Sequence, residues 1–98
     1  MAPAELEGLL ISHPSIADAA VIGYPGDEGN ELPRAYVVKR DPKLKDNDVI
    51  EWVRERVNPY NRLRGGVVFV DAIPKSPSGK ILRRLLRDML LKEIRGKL

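Results

Sequence analysis

Residues 17–22, Ala-Asp-Ala-Ala-Val-Ile, form an almost unbroken apolar run, and it constrains the fold more than any other stretch. A strand of this composition is covered on both faces instead of alternating between core and water. The turn-rich sequence Gly23-Tyr24-Pro25-Gly26-Asp27-Glu28-Gly29-Asn30 ends it. Ala35-Tyr36-Val37-Val38-Lys39 is a second β-rich run, and a connection of about ten residues lets the two pair antiparallel. A third run, Val67-Val68-Phe69-Val70, follows Gly65-Gly66 and is reached through a helix. The crossover rule predicts that it lies parallel to its neighbour.

Three amphipathic patterns surround these runs. Pro3 suits a first helical turn, Glu5 and Glu7 suit the positive end of the helix dipole, and Leu6, Leu9 and Leu10 share a face. His13-Pro14 stops that helix, which makes His13 a polar residue at a helix end. Val49, Ile50, Val53 and Val57 line a second helix with Trp52 beside them, starting at the capping-type residues Asp46, Asn47 and Asp48 and stopping at Asn58-Pro59. Helical spacing with valines makes Trp52 a packing residue. A third helix is expected from about residue 81 to residue 94, with Leu82, Leu85, Leu86, Met89 and Leu90 buried and Arg83, Arg84, Arg87, Lys92 and Arg95 outside. The order α-β-β-α-β-α gives an α+β fold, a single domain over residues 1–98 whose three-stranded mixed sheet is flanked by helices.

Composition removes several chemistries. The chain has no cysteine and only one histidine, so no metal site is expected. No stretch has the length and hydropathy of a membrane span, and no apolar leader follows Met1, which sets a cytoplasmic compartment as the expectation. Gly96-Lys97-Leu98 differs by one small residue from the Ser-Lys-Leu peroxisomal address, which adds the peroxisome as a second destination. The net charge of +3 favours an anionic partner. No aromatic residue interleaves with the arginines of the third helix, and no nucleic acid partner is expected.

One stretch carries chemistry. In Pro74-Lys75-Ser76-Pro77-Ser78-Gly79-Lys80-Ile81-Leu82-Arg83-Arg84 an apolar run stops, a Pro/Ser/Gly loop turns and a basic helical pattern begins. The prolines restrict their neighbours to extended geometry, and Gly79 can take a positive φ. Lys80 then falls near a helix start, where the dipole disfavours a cation. Taken alone it is either a functional cation or a solvated lysine. Ser78-Gly79-Lys80 resembles part of a phosphate-binding loop but fails its pattern, with Pro74 where a glycine belongs and Ile81 where a Ser or Thr belongs.

The same eleven residues resemble the last signature motif of adenylate-forming enzymes, in the form found in acyl- and aryl-CoA ligases such as 4-coumarate-CoA ligase and in firefly luciferase. The similarity extends over nearly the whole chain: Ala2-Pro3-Ala4-Glu5-Leu6-Glu7 with His13-Pro14, then Asp18-Ala19-Ala20-Val21-Ile22-Gly23, then Gly66-Val67-Val68-Phe69-Val70-Asp71, all in the family's order. Asn30 and Asn61 depart from the family's common Gly and Lys. The resemblance implies the mobile C-terminal lid domain of an enzyme that turns a carboxylic acid and ATP into acyl-AMP and then into a CoA thioester. It implies Lys80 as the adenylation lysine, Lys75, Ser76, Ser78 and Gly79 as the loop around substrate and nucleotide, and Arg83 and Arg84 as contacts to CoA phosphates. ATP, CoA and Mg are the implied cofactors, held mainly by a large N-terminal adenylation domain, in cis or in trans, that this sequence does not contain. The 98 residues alone are therefore not expected to turn over. The competing reading is a stand-alone, non-catalytic basic module that binds CoA, nucleic acid or a protein.

Overall fold

The computed structural model describes residues 2–97. Helix α1 (Pro3–Ile11) leads into strand β1 (Ile16–Pro25); a 3₁₀ turn (Asp27–Gly29) connects it to β2 (Glu31–Lys39). Then come α2 (Asp46–Arg54), a second 3₁₀ turn (Pro59–Asn61), β3 (Val67–Phe69) and α3 (Arg83–Gly96). The strands lie in the order β1-β2-β3, with β1 antiparallel and β3 parallel to β2, so the mixed sheet and its α-β-β-α-β-α order match the sequence reading.

The apolar run of β1 is covered on both faces, as its composition requires. Ala19 and Val21 point into one core with Ala35 and Val37 of β2, closed by Leu6 and Leu10 of α1 and Val49 and Val53 of α2. Ala20 and Ile22 point the other way and pack with Tyr36, Leu86 and Leu90 under α3. Trp52 packs at the margin of the first core, edge-on to His13 at 4.9 Å between ring centroids. The His13 ring accepts a hydrogen bond from the Ser15 amide through Nδ1 at 3.0 Å, which fits a residue closing a helix.

Several boundaries move for physical reasons. The β1–β2 ladder runs out to Pro25 and Glu31, so Gly23, Tyr24 and Pro25 belong to the strand and the connection is shorter than its turn composition suggests. Proline is tolerated there because β1 is an edge strand. Helix α2 stops at Arg54, and Asn58 caps the following 3₁₀ turn, its Oδ1 accepting from the Tyr60 amide at 3.0 Å. Helix α3 starts at Arg83, later than expected. Only Leu86 and Leu90 of its apolar residues are buried, whereas Leu82, Leu85 and Met89 are 36%, 40% and 43% exposed. A three-stranded sheet is narrow, and one stripe of the helix at i, i+4 spacing is all it covers.

No helix of the described residues is long and apolar enough to cross a membrane. The Gly96-Lys97-Leu98 sequence ends outside the described residues.

Gly65 and Gly66 let the chain enter β3 against β2. The Gly65 amide donates to the Pro33 carbonyl at 2.8 Å, and Gly66 has φ of 92°. A Cβ on Gly65 would stand 2.7 Å from Tyr24 Cβ and 2.8 Å from the Pro33 carbonyl oxygen, two neighbours that cannot swing aside. Gly65→Ala is therefore expected to cost about 1–3 kcal/mol of stability, read as a lowered Tm or denaturation midpoint. A Gly8→Ala control, with open space around the added methyl, should not lower it.

Candidate functional site

The loop around Lys80 is a small hairpin. The Leu82 amide donates to the Pro74 carbonyl at 2.9 Å, Lys75 and Ile81 form an antiparallel bridge, and the Ser76 amide donates to the Lys80 carbonyl at 2.9 Å. At the tip, the Gly79 amide donates to the Ser76 carbonyl at 2.8 Å, and Gly79 has φ of 88°. Ser-Pro-Ser-Gly suits this turn at every position: Ser begins it, Pro presets the second residue, and Gly takes the left-handed conformation that closes a three-residue hairpin loop. Side chains tighten it further. The Ser76 hydroxyl accepts from the Lys80 amide at 3.2 Å and lies 2.9 Å from the Ser78 hydroxyl.

Lys80 thus stands in a hairpin leg, not at the first turn of α3, and the dipole argument made for it from sequence does not apply. The residues in that first turn are Arg83 and Arg84. Lys80 is exposed, and its ammonium makes no ion pair or hydrogen bond among the described residues. Its neighbours differ. Lys75 Nζ lies 2.6 Å from Asp18 Oδ2. Arg83 Nη2 donates to both oxygens of Glu7 at 2.7 Å, and Glu7 Oε2 also accepts the Val21 amide at 2.8 Å. Arg84 is exposed without a partner among the described residues, beside a surface depression lined by Ile81, Leu82, Arg83 and Leu85.

The structure therefore brings the seven sequence-selected residues together at one end of α3 but sorts their cations. Lys80 and Arg84 are available to an anion; Lys75 and Arg83 are held by acids. Asp18 and Glu7 were not selected from the sequence. By position Glu7 suits the helix dipole, but its side chain is 7% exposed and closes the α1–β1–α3 junction. Among the described residues no group of three or more His, Cys, Asp or Glu side chains could hold a metal ion.

Elsewhere, Arg34 is a buried cation. Its Nη1 donates to Glu93 Oε2 at 2.7 Å, its Nε donates to the Gly65 carbonyl at 2.8 Å, and it lies over the Tyr24 ring. Burial pushes the guanidinium pKa down, and the hydrogen bonds and charges of Glu93 and Tyr36 more than offset that, leaving it raised. This pair ties β2 to the far end of α3 and is structural.

Comparison with known proteins gives a consistent family. A family model described as the AMP-binding enzyme C-terminal domain matches residues 5–80. The chain is 55% identical over 89 residues to a phenylacetyl-CoA ligase of Aspergillus niger, covering 90% of this chain and 16% of the relative. It is 51% identical over 96 residues to 4-coumarate-CoA ligase-like 9 of Oryza sativa subsp. japonica, covering 97% of this chain and 17% of the relative. A solved structure of o-succinylbenzoate CoA synthetase from Bacillus subtilis, in complex with its acyl-adenylate intermediate, superimposes with a TM-score of 0.79 at 31% identity, over 88% of this chain and 17% of that one. The chain thus spans less than a fifth of the length of the relatives it matches.

The hairpin depends on the left-handed Gly79. Gly79→Ala has open space for its methyl but a φ that alanine resists, so it should weaken the hairpin by about 1 kcal/mol. Amide hydrogen exchange should quicken at Ser76 and Lys80, while the β1–β2 amides stay as protected as before.

Proposed function

The chain belongs to the family of AMP-binding enzyme C-terminal domains, and from that membership we propose that it is the mobile lid of an ATP-dependent acyl- or aryl-CoA ligase, with Lys80 supplying the adenylation charge. The observation that carries this reading is the Lys80 ammonium: exposed, held on a shaped hairpin, and unpaired among the described residues while the cations on either side are paired.

In the first step of this reading, a carboxylate oxygen attacks the α-phosphorus of ATP, forming acyl-AMP and releasing pyrophosphate. Negative charge gathers between the incoming carboxylate and the α-phosphate oxygens. An ammonium brought there by lid closure stabilises that charge in a site from which water is excluded. In the second step the CoA thiol attacks the acyl carbonyl, losing its proton and expelling AMP, after the lid has rotated and withdrawn Lys80. Ser76, Ser78 and Gly79 shape the hairpin that presents Lys80, and Arg84, exposed beside an apolar depression and unpaired among the described residues, contacts CoA phosphate.

ATP and the carboxylic acid are held in this reading by a large N-terminal adenylation domain, in cis or in trans. Magnesium is held mainly by that same domain in this reading, since among the described residues no group of three or more His, Cys, Asp or Glu side chains comes together.

The test is Lys80→Ala in the complete ligase carrying this domain. Acid-dependent pyrophosphate release should fall on the order of 10²-fold or more, while thioester formation from preformed acyl-adenylate survives. Unchanged pyrophosphate release would remove Lys80 from the role.

A further inference from the structure

The two acids that clamp the Lys80 hairpin carry an inference beyond its chemistry. We propose that Asp18 and Glu7, through Lys75 and Arg83, are positioning residues that fix the hairpin against the domain body, so that neither flanking cation serves as a phosphate contact. The inference rests on the reading of Lys80 as the adenylation cation.

The hairpin's two legs are joined to each other by the Leu82–Pro74, Lys75–Ile81 and Ser76–Lys80 pairings, and Ile73 and Ile81 pack against the core under α3. Apolar contact at the base leaves the orientation of the polar tip to be fixed by directional contacts. Lysine is a flexible four-carbon stem, so the protein controls where its ammonium arrives chiefly by fixing the backbone beneath it. One leg is fixed at Lys75 by Asp18, and the other, just past Leu82, at Arg83 by Glu7. Both anchors lie on α1 or β1, so the hairpin is fixed from both sides to one rigid corner of the domain.

The local geometry of each acid suits an anchor. The register of β1 against β2 shifts between Ile16 and Asp18, the kind of irregularity that re-aims a side chain. Asp18 Oδ1 accepts the Ala19 amide at 2.9 Å, leaving Oδ2 for Lys75. Glu7 is itself held by the Val21 amide, so it cannot follow Arg83 outward. Arg83 sits in the first turn of α3, where the dipole opposes a cation, and the Glu7 charge offsets that cost. For either cation to reach a phosphate it would first have to leave a carboxylate at 2.6–2.7 Å.

Mutating the acids separates the two roles, because a carboxylate has no affinity for phosphate. In the complete ligase, Asp18→Lys should lower kcat for adenylation on the order of tenfold or more, with the ATP KM little changed, and combining it with Lys75→Asp should restore most of the rate by re-forming the pair in reverse. Asp18→Asn, which keeps the acceptor for the Ala19 amide, should give a smaller loss in the same direction. On a Lys80→Ala background Asp18→Lys should add little, because positioning acts only through Lys80. Glu7→Gln, which keeps an acceptor for the Val21 amide, should show the same non-additivity. Three results overturn the proposal while leaving the Lys80 reading intact: Lys80→Ala impaired but Asp18→Lys fully active, a doubly reversed enzyme that stays impaired with a raised ATP KM, or losses that simply add to that of Lys80→Ala. If Lys80→Ala itself leaves adenylation intact, the functional reading falls first, and with it this one.

Discussion

The buried Glu7 carboxylate is the interaction on which the arrangement of the layers depends. An ionised group taken out of water is tolerated only when its acceptor sites are filled, and Glu7 fills them with the Val21 amide and the Arg83 guanidinium. β1 is an edge strand, so its outward amides have no strand partner. Glu7 supplies one from α1, which blunts that edge as an extra strand would. Because α1 covers one face of the sheet and α3 the other, the Arg83–Glu7 contact wraps around this edge and joins the two cores.

That junction explains how so small a domain can present a shaped loop. The sheet supplies a double-sided core from residues that alternate face along β1 and β2, and the apolar stripe of α3 is seated through Leu86 and Leu90. The chain before α3 packs Val70, Ile73 and Ile81 against the core under that helix. The rest of its order comes from main-chain pairing, from a turn whose residues fit their positions, and from two ion pairs to the corner formed by α1 and β1. Rigid support beneath a flexible side chain is what a charge delivered by domain motion requires.

The sheet was legible in the sequence because its signals are local: apolar runs of strand length, turn residues between them, and a helical crossover that dictates the parallel β3. The loop before Lys80 was legible for the same reason, in its Pro, Ser and Gly residues, but its closure into a hairpin with Lys80 in the second leg was not. Periodicity alone did not reveal how much of α3 the sheet could cover. It treats Leu82, Leu85 and Met89 like Leu86 and Leu90, although a three-stranded sheet has width for only one stripe. The start of α3 was misplaced because Ile81 and Leu82 continue its apolar pattern while their backbone is engaged with Lys75 and Pro74. Asp18 and Glu7 left a signal that was available: a carboxylate within an otherwise apolar strand, and another between Leu6 and Leu10 on the buried side of a helix. Their partners lie 57 and 76 residues further along the chain, a distance over which neither propensity nor spacing carries information.

Counting charges in a motif therefore overstates how many stand free of a partner acid. Four cations stand in the eleven residues from Pro74 to Arg84, and the family resemblance implies a role for each, at the substrate and nucleotide for Lys75 and Lys80 and at CoA phosphates for Arg83 and Arg84. In the folded chain two of them are neutralised by acids on other elements, which leaves Lys80 on the hairpin and Arg84 on the helix behind it as the charges without a partner among the described residues. The division has a physical logic. A cation that must engage and then release an anion within one catalytic cycle cannot be held by a strong competing carboxylate, whereas a cation that fixes a loop must be. Partner acids, more than the cations themselves, thus distinguish the residues that would act on a nucleotide from those that hold the acting residue in place.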